Sequence, residues 1–293
     1  MAQFLQQVTS GLASDSIYAS LALALVLIYR TTEIVNFAQG EMATFTTYIA
    51  WTLMNHGFSY WPAFALTLLL AFGGGVAVER VLIRPVEHRP AIVVVIVTVG
   101  LLIAINGLTG WIWGGEVKAF DSPFPNRSVD IGGVAISLQD VGTFCVCIAT
   151  VVLLWAFFRF TTLGLAMRAV AVNPDASRLM GVRVGWMLAL GWGFAAALGA
   201  AAGMMTAPTV FLDPNMMLVV LIYAFAAAVL GGIDSPIGAV VGGLALGVAV
   251  NLLGTYVDFF SEELRLPSAL GILLLVLLVR PSGLFGRAVV TRV

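Results

Sequence analysis

The stretch AIVVVIVTVGLLIAINGLTGWIW, Ala91–Trp113, decides the fold, because it runs without one charged side chain. A helix of about 20 predominantly apolar residues crosses the hydrocarbon core of a bilayer. The sequence therefore predicts an all-α polytopic membrane protein with about eight to ten transmembrane helices, some of them broken or re-entrant at Gly and Pro. The other apolar runs near this length are residues 17–29, 38–54, 61–81, 141–158, 186–207, 216–232, 237–256 and 266–279.

Composition supports a lipid environment. Of the 293 residues 60% are hydrophobic and 10% charged, and the mean hydropathy is +1.03. Soluble domains carry about 25% charged residues, because water must solvate their surface. No polar stretch is long enough for a separate soluble domain, so residues 1–293 are predicted to form a single transmembrane domain. We expect the lipid bilayer, and no nucleic acid, among its partners.

The distribution of arginine predicts the orientation, since cytoplasmic loops retain Lys and Arg. One arrangement places 11 of the 14 basic residues inside and leaves only Lys118, Arg127 and Arg265 outside. With nine spans it predicts a multi-pass membrane protein with its N-terminus outside and its C-terminus inside. The inside positions are Arg30, the loops 80–89 and 159–183, and the tail with Arg280, Arg287 and Arg292.

Glycine and proline mark close packing and breaks. Pro208 and Pro214 bracket a predicted break, and residues 231–236 predict a second sharp turn. Broken helices at membrane depth often line a pathway, although an ordinary loop explains each break as well. Small residues four apart let two helix backbones approach closely in lipid. These pairs are Gly199/Gly203, Gly238/Gly242 and Gly243/Gly247.

Catalytic signatures are absent from the sequence. It contains no phosphate-binding loop, no nucleophile elbow and no zinc-protease motif. His56 and His88 lie in predicted loops without evident ligand partners. We therefore expect a transport subunit with no enzymatic activity, cofactor or metal of its own. The energy for active transport would come from an ion gradient or from a separate ATPase.

The run NFAQGE, residues 36–41, opens the second apolar stretch at its predicted inner end. A charged side chain at the centre of a membrane helix costs about 2.5–3.5 kcal/mol on insertion scales. Glu41 should therefore lie near the interface, pair with a partner or face a polar cavity. One interpretation is a gate or pathway lining. The other is a helix start, where a carboxylate is favoured by the helix dipole.

The predicted cytoplasmic loop 161–184, TTLGLAMRAVAVNPDASRLMGVRV, has helical spacing, then Asn173-Pro174-Asp175, then a second short helix over 176–180. Asp175 falls in the first turn of this helix, and Gly181 is placed to end it. A structured, basic helix pair favours a docking element. By composition alone, the alternative is a solvated loop whose basic residues only follow the tendency of cytoplasmic loops to retain Lys and Arg.

Five segments, taken in order along the chain, resemble the LivH-type permeases of the branched-chain amino acid branch of ATP-driven (ABC) importers. The resemblance implies the ABC importer permease fold. It spans nearly the whole chain and is specific to the family without specifying the substrate. The segments are YASLALALVLIYRTTEIVNFAQGE (18–41), ERVLIRPV (79–86), LGLAMRAVAVNPDASRLMGV (163–182), AAAVLGGIDSPIGAVVGGLALG (226–247) and LLLVLLVRPSGLFGR (273–287).

This resemblance implies a complex with a second, LivM-like permease, two cytoplasmic ATPases that hold ATP and Mg²⁺, and a periplasmic substrate-binding protein. In such importers the segment matching 163–182 is the coupling helix that lodges in a groove of the ATPase. The positions carried over are Gly164, Arg168 for a charge contact, Asp175 for the helix start, Ala176 for close approach and Gly181 for the helix end.

Two departures leave the substrate open. Gln39 stands where histidine is common in the family, and Val250 stands where leucine permeases have an acidic residue. Branched-chain or other hydrophobic amino acids are the first expectation. A permease of the same family for urea, amides or aromatic acids is the alternative, and a secondary transporter or channel without an ATPase is a further one. Candidates for the pathway or gate, each equally able to be an interhelical hydrogen-bond partner, are Asn36, Gln39, Glu41, Asn106 and Asn251.

Overall fold

The computed structural model describes residues 2–125, 127–131, 134–256 and 264–286. Arg287 and Arg292, which the orientation argument used, lie outside these residues. Helices dominate the described part of the chain, as predicted. They are α1 (Ala2–Thr32), α2 (Gln39–Asn55), α3 (Tyr60–Val78), α4 (Ala91–Trp113), α5 (Leu138–Phe160), α6 (Thr162–Val172), α7 (Pro174–Leu179), α8 (Val184–Val210), α9 (Met216–Gly231), α10 (Pro236–Tyr256) and α11 (Arg265–Val279).

Each apolar run of the sequence falls within a helix or ends within a few residues of one. Among the described residues, five helical segments are long and apolar enough to cross a membrane, judged by length and composition. The prediction of an all-α polytopic membrane protein is confirmed. These segments are Tyr60–Val86, Ala91–Trp113, Leu138–Phe160, Val184–Val210 and Pro236–Tyr256; the first continues α3 through a π-helical turn, Glu79–Ile83, and a 3-10 turn, Arg84–Val86.

By backbone contacts the chain forms two compact units. The first unit comprises Met1–Val26, Phe124–Cys147 and Val219–Val293, and the second comprises Leu27–Pro123 and Ile148–Leu218. Each unit has its own close helix contacts, which explain where the sequence needs small residues.

The second unit is built around α8, which is mostly buried. Helix α3 packs on it in the antiparallel direction, because Tyr60 lies beside Met204 and Gly75 lies beside Trp192. A Cβ at Gly75 would lie 2.5 Å from the carbonyl oxygen of Trp192, so only glycine lets these backbones approach.

Helix α2 lies on the same helix α8 and runs parallel to it. Gln39 faces Gly199, and Thr47 faces Gly203, so the predicted pair of small residues is used inside the chain. The α2 helix has 17 residues and is therefore about 25 Å long, less than the ~30 Å hydrocarbon core. It begins beside the middle of α8, where Gln39 contacts Ala195. The sequence had suggested that Gln39 lies at the inner end of a membrane span.

In the first unit, α10 runs antiparallel to the early part of α1. Gly243 packs on Ala19, and Gly247 packs on the carboxylate of Asp15. Gly238 in turn packs on Gly231 at the end of α9. All three predicted pairs of small residues therefore serve packing within the chain. The predicted turn is also present: α9 ends at Gly231, Gly232 has φ +106°, and α10 begins at Pro236.

Two features of the fold were not predicted. The strands β1 (Ser128–Ile131) and β2 (Val134–Ser137) form a small antiparallel hairpin in the segment before α5, with Val129 opposite Ile136. The predicted break does begin between Pro208 and Pro214, but helix α8 passes through Pro208 itself. Helix α8 continues to Val210, and Phe211 leaves it with φ +65°.

Candidate functional site

The α6–α7 loop is fixed to α5 at its start. The hydroxyl of Thr161 accepts a hydrogen bond from the Gly164 amide at 2.9 Å and donates one to the Phe157 carbonyl at 2.7 Å. Gly164 is buried, and a Cβ there would lie 2.5 Å from the same carbonyl and 2.6 Å from the Cα of Phe158. The loop therefore leaves α5 at a sharp, close contact that a larger residue would disturb.

The apolar face of α6 anchors the loop in the second unit. Met167 and Val170 are buried against Val184 and Met187 of α8, with aromatic side chains of α5 around them. Burying a side chain of this size contributes roughly 1.5–3 kcal/mol. The position of α6 is thus set by packing within the chain.

Helix α7 covers Pro174–Leu179 and begins two residues before the expected 176–180. Pro174 occupies its first turn, and Asn173 caps it by accepting a hydrogen bond from the Ala176 amide at 2.9 Å. Asp175 in this turn forms an ion pair with Arg178 at 3.2 Å. The pair is exposed, and such pairs contribute about 1 kcal/mol at most.

Gly181 ends α7 in the left-handed conformation, with φ +81°. Its amide donates to the Arg178 carbonyl at 3.0 Å, and the Val182 amide donates to the Ser177 carbonyl at 3.0 Å. These two bonds form a Schellman motif, for which glycine is the usual residue at the left-handed position. The sequence located this helix end correctly.

The outer face of the loop exposes large apolar side chains. Val172 is 79% exposed, Leu179 90% and Met180 84%. They stand beside the exposed Asp175, whereas Arg168 is half-buried and its Nε has no hydrogen-bond partner among the described residues. The loop therefore presents a short helix with an apolar tip and charged flanks.

A second group of predicted residues ties α2 to α8. Asn36 is fully buried; its Oδ1 accepts from the Ala38 amide at 3.0 Å, and its Nδ2 donates to Gln39 Oε1 at 3.2 Å. The Nε2 of Gln39, also fully buried, donates to the Ala195 carbonyl at 2.8 Å. Both amides are thus interhelical or capping hydrogen-bond partners in this conformation.

Glu41 and Asn106 meet, although 65 positions separate them in the chain. The Nδ2 of Asn106 in α4 lies 3.3 Å from Glu41 Oε2, 3.2 Å from the Pro214 carbonyl and 3.0 Å from Asn215 Oδ1. Glu41 is buried while Asn215 is exposed. This polar cluster joins α2, α4 and the break after α8, and it extends from a buried carboxylate to the surface of the unit.

Asn251 lies in the first unit and so belongs to a different cluster. Its Nδ2 donates to the Gln7 carbonyl of α1 at 2.7 Å. Nearby, Asp15 of α1 is only 4% exposed. Sequence reasoning missed Asp15, because the apolar run was taken to begin at residue 17. Helix α1 in fact begins at Ala2, so Asp15 lies well inside it.

Metal binding has no candidate site in the described ranges: they hold no group of three or more His, Cys, Asp or Glu side chains that could bind an ion. The expectation that the chain itself binds no cofactor remains a prediction.

A solved structure has a similar fold. PsaBC from Streptococcus pneumoniae, in complex with Fab, contains a chain that matches with a TM-score of 0.51 and 14% identity, over 95% of this chain and 92% of that one. With its apolar helices, this chain is a polytopic α-helical membrane protein.

Sequence comparison gives the family. Residues 7–279 match the family model described as the branched-chain amino acid transport system permease component. The chain is 32% identical to the high-affinity branched-chain amino acid permease BraD of Pseudomonas aeruginosa and 30% identical to LivH of Escherichia coli K12, in each case over 99% of this chain and 98% of the relative. A probable LivH of Methanocaldococcus jannaschii is 28% identical over 91% of this chain.

The chain therefore belongs to the branched-chain amino acid transport system permease family. It is a transport subunit of an ABC transporter complex and not an enzyme, because hydrolysis of ATP in this family belongs to separate subunits.

Proposed function

We propose that this permease passes branched-chain or other hydrophobic amino acids across the bacterial inner membrane. The observation that carries the proposal is the full-length similarity to BraD and LivH, both named as high-affinity branched-chain amino acid permeases. In this proposal the chain pairs with a second, LivM-like permease. A periplasmic binding protein delivers the solute, and two cytoplasmic ATPases bind ATP and Mg²⁺. The N-terminus lies outside and the C-terminus inside.

The α6–α7 loop is proposed as the coupling helix that docks on an ATPase. Its inner face is anchored on α8, whereas Leu179 and Met180 at the tip are exposed. An apolar tip with charged flanks suits a groove on a soluble protein, since interface cores are apolar and their rims polar. Gly164, Ala176 and Gly181 shape the loop in this proposal, and Arg168 and Asp175 make charge contacts with the ATPase.

The docking proposal can be tested by cross-linking. A cysteine at Leu179, in a chain with Cys145 and Cys147 replaced by serine, should form a disulfide-length cross-link to an ATPase cysteine placed in its groove. The same cysteine at Val117, exposed in the segment after α4, is the matched control. Equal cross-linking at both positions, or none at Leu179, would contradict docking by α7.

For the pathway we propose a division among the five predicted residues. Glu41 and Asn106 line it, because their cluster reaches from a buried carboxylate to an exposed amide at Asn215. Asn36 and Gln39 hold the start of α2 against α8 and move with it when the complex changes state. Asn251 belongs to a separate site in the first unit. Alternation between inward- and outward-open states would follow from differential affinity for receptor and ATP.

The substrate alternative within the family is urea, an amide or an aromatic acid. Gln39 and Val250 favour it, since both depart from the pattern of leucine permeases. A ligand screen on the cognate binding protein separates the two proposals. Leucine, isoleucine or valine should bind at micromolar concentration or better, and excess urea, acetamide or benzoate should not displace them. Displacement by one of these three compounds would exclude the amino acid proposal.

A further inference from the structure

A small cavity lies in the first unit, apart from the α6–α7 loop and from the Glu41 cluster. Its volume is about 80 Å³. Helices α1, α9, α10 and α11 all contribute to its wall. The side chains and the backbone position that define it are Asp15, Tyr18, Tyr223, Gly247, Asn251 and Arg265.

Asp15 supplies a buried carboxylate to this cavity. The side chain is 4% exposed, and it lies directly against Gly247 of α10, where any Cβ would overlap the carboxylate. Glycine at position 247 therefore provides the space that lets an acidic side chain sit between two membrane helices. A charged group inside a membrane bundle is costly and typically marks a solute or ion site.

Arg265 supplies the opposite charge. It is exposed at the start of α11 and lines the same cavity as Asp15. A carboxylate and a guanidinium on one small cavity wall match a ligand that carries an ammonium and a carboxylate bonded to the same carbon. Charge-assisted hydrogen bonds of this kind are about twice as strong as neutral ones.

Two aromatic rings complete the wall. Tyr18 and Tyr223 stack with ring centroids 4.8 Å apart and an interplanar angle of 15°. Aromatic faces attract an ammonium group and also pack against aliphatic side chains. Asn251 is held at the cavity by its hydrogen bond to Gln7 of α1.

The size of the cavity restricts the ligand. One water needs roughly 10–15 Å³ of such volume, so the cavity has room for about five to eight groups of that size. The head group of an α-amino acid, with its nitrogen, Cα and carboxylate, has this size. A branched aliphatic side chain would extend past the rings and out of the cavity. Urea or a simple carboxylic acid would use at most one of the two charges.

We propose that this cavity binds the zwitterionic head group of an α-amino acid during transport, with Asp15 accepting from the ammonium and Arg265 donating to the carboxylate. The proposal rests on the amino acid substrate proposed above. The cavity would let the permease itself select the ligand after the binding protein has released it. Because the site has two charges and one small cavity, it recognises the head group and accepts different aliphatic side chains.

The test uses the assembled complex in lipid nanodiscs without the binding protein. Saturation-transfer NMR measures the apparent dissociation constants of leucine, leucinamide, which lacks the carboxylate, and 4-methylpentanoate, which lacks the ammonium. Wild-type complex should prefer leucine to both analogues by roughly tenfold. Arg265→Gln should remove the preference over leucinamide alone, and Asp15→Asn should remove the preference over 4-methylpentanoate alone.

Two further variants keep the test informative. Asp140→Asn removes an acid at the start of α5 in the same unit, outside the cavity, and should keep both wild-type preferences. Gly247→Ala keeps both charges but displaces the Asp15 carboxylate, so it should weaken leucine binding severalfold. A purely structural pairing of Asp15 with Arg265 would leave the ligand preferences of every correctly assembled variant unchanged, and that result would overturn the proposal.

The proposed function is tested separately in the same preparation. A complex that imports leucine with ATP but shows unchanged preferences in the variants contradicts only the head-group site. A complex that does not import leucine with its binding protein and ATP contradicts the amino acid substrate itself.

Discussion

The seam between α2 and α8 and the α6–α7 loop are opposite kinds of surface within the second unit. In the seam, Gln39 is fully buried and bonded to Ala195, and Gly203 is packed directly on Thr47. In the loop, Leu179 and Met180 are almost fully exposed. The seam is complete within this chain. The loop ends in an apolar tip that this chain leaves uncovered.

Glycine serves the two regions for different physical reasons. Gly203 in the seam, and Gly75 where the neighbouring helix α3 meets α8, leave room for another backbone or side chain, so any Cβ would collide. Gly181 has nothing within 4 Å of a Cβ, but its φ of +81° disfavours other residues. Substitutions in the seam should therefore affect folding, and substitutions in the loop should affect coupling.

The largest effect is expected at Gly75. A leucine there would collide with the Trp192 carbonyl and with Ala196, and overpacking of this kind costs about 1–3 kcal/mol or more. Gly75→Leu should lower the ratio of folded to unfolded protein by about 5- to 150-fold. Fluorescence-detected size-exclusion chromatography measures the monodisperse fraction. Gly74→Leu is the control, because nothing lies within 4 Å of a Cβ at Gly74; equal yields of the two variants would contradict this packing.

Alanine in the loop should break coupling and leave folding intact. Arg168→Ala and Asp175→Ala are each expected to reduce transport per ATP hydrolysed by roughly tenfold, since truncating an interface residue that matters costs more than about 1 kcal/mol. The Asp175–Arg178 pair is exposed, so its loss should change stability by about 1 kcal/mol at most. Uptake and ATPase rates in proteoliposomes give the ratio. Glu116→Ala, in the segment after α4, should behave like wild type; wild-type coupling in both loop variants would place the docking site elsewhere.

A smaller effect is expected from Gln39→Leu. The change removes the hydrogen bond to Ala195 and leaves the buried Asn36 amide without its Gln39 acceptor, which costs roughly 1–3 kcal/mol. Thermal unfolding should occur a few degrees lower, at about 2–4 °C per kcal/mol. Gln39→His, which retains a ring N–H donor, should lose less. A larger loss with histidine than with leucine would argue against a hydrogen-bonding role for this side chain.

The smallest effect is expected at Gly181. A residue with a branched Cβ in the left-handed conformation costs about 1–2 kcal/mol, whereas asparagine tolerates it. Gly181→Val should speed hydrogen exchange in residues 174–182 about fivefold or more, and Gly181→Asn should change it little. Identical exchange in the two variants would show that the end of α7 does not depend on this backbone conformation.

Much of the fold could be predicted, because its signals are local. Apolar runs located the membrane helices, and Gly181 located the end of α7; its start lies two residues before the expected Ala176, because Asn173 caps it. The pairs of small residues correctly indicated close helix packing, although their partners could not be known.

The parts that were missed depend on contacts distant in sequence. Glu41 and Asn106 were each proposed as polar lining, but nothing in one sequence shows that α2 and α4 are neighbours. Asp15 was left out because polar residues precede Ile17. Its carboxylate fits between α1 and α10 only because Gly247 has no side chain. The hairpin of β1 and β2 is too short to stand out from a polar loop.

The most direct test of the central claim, that this chain is the permease of an ATP-driven importer, is uptake by proteoliposomes. They would contain this chain with its second permease and ATPases, with loaded binding protein outside and ATP inside. We expect leucine to accumulate only when ATP is hydrolysed and the binding protein is present. Leucine accumulation without ATP, driven by an ion gradient or by its own gradient, would contradict it.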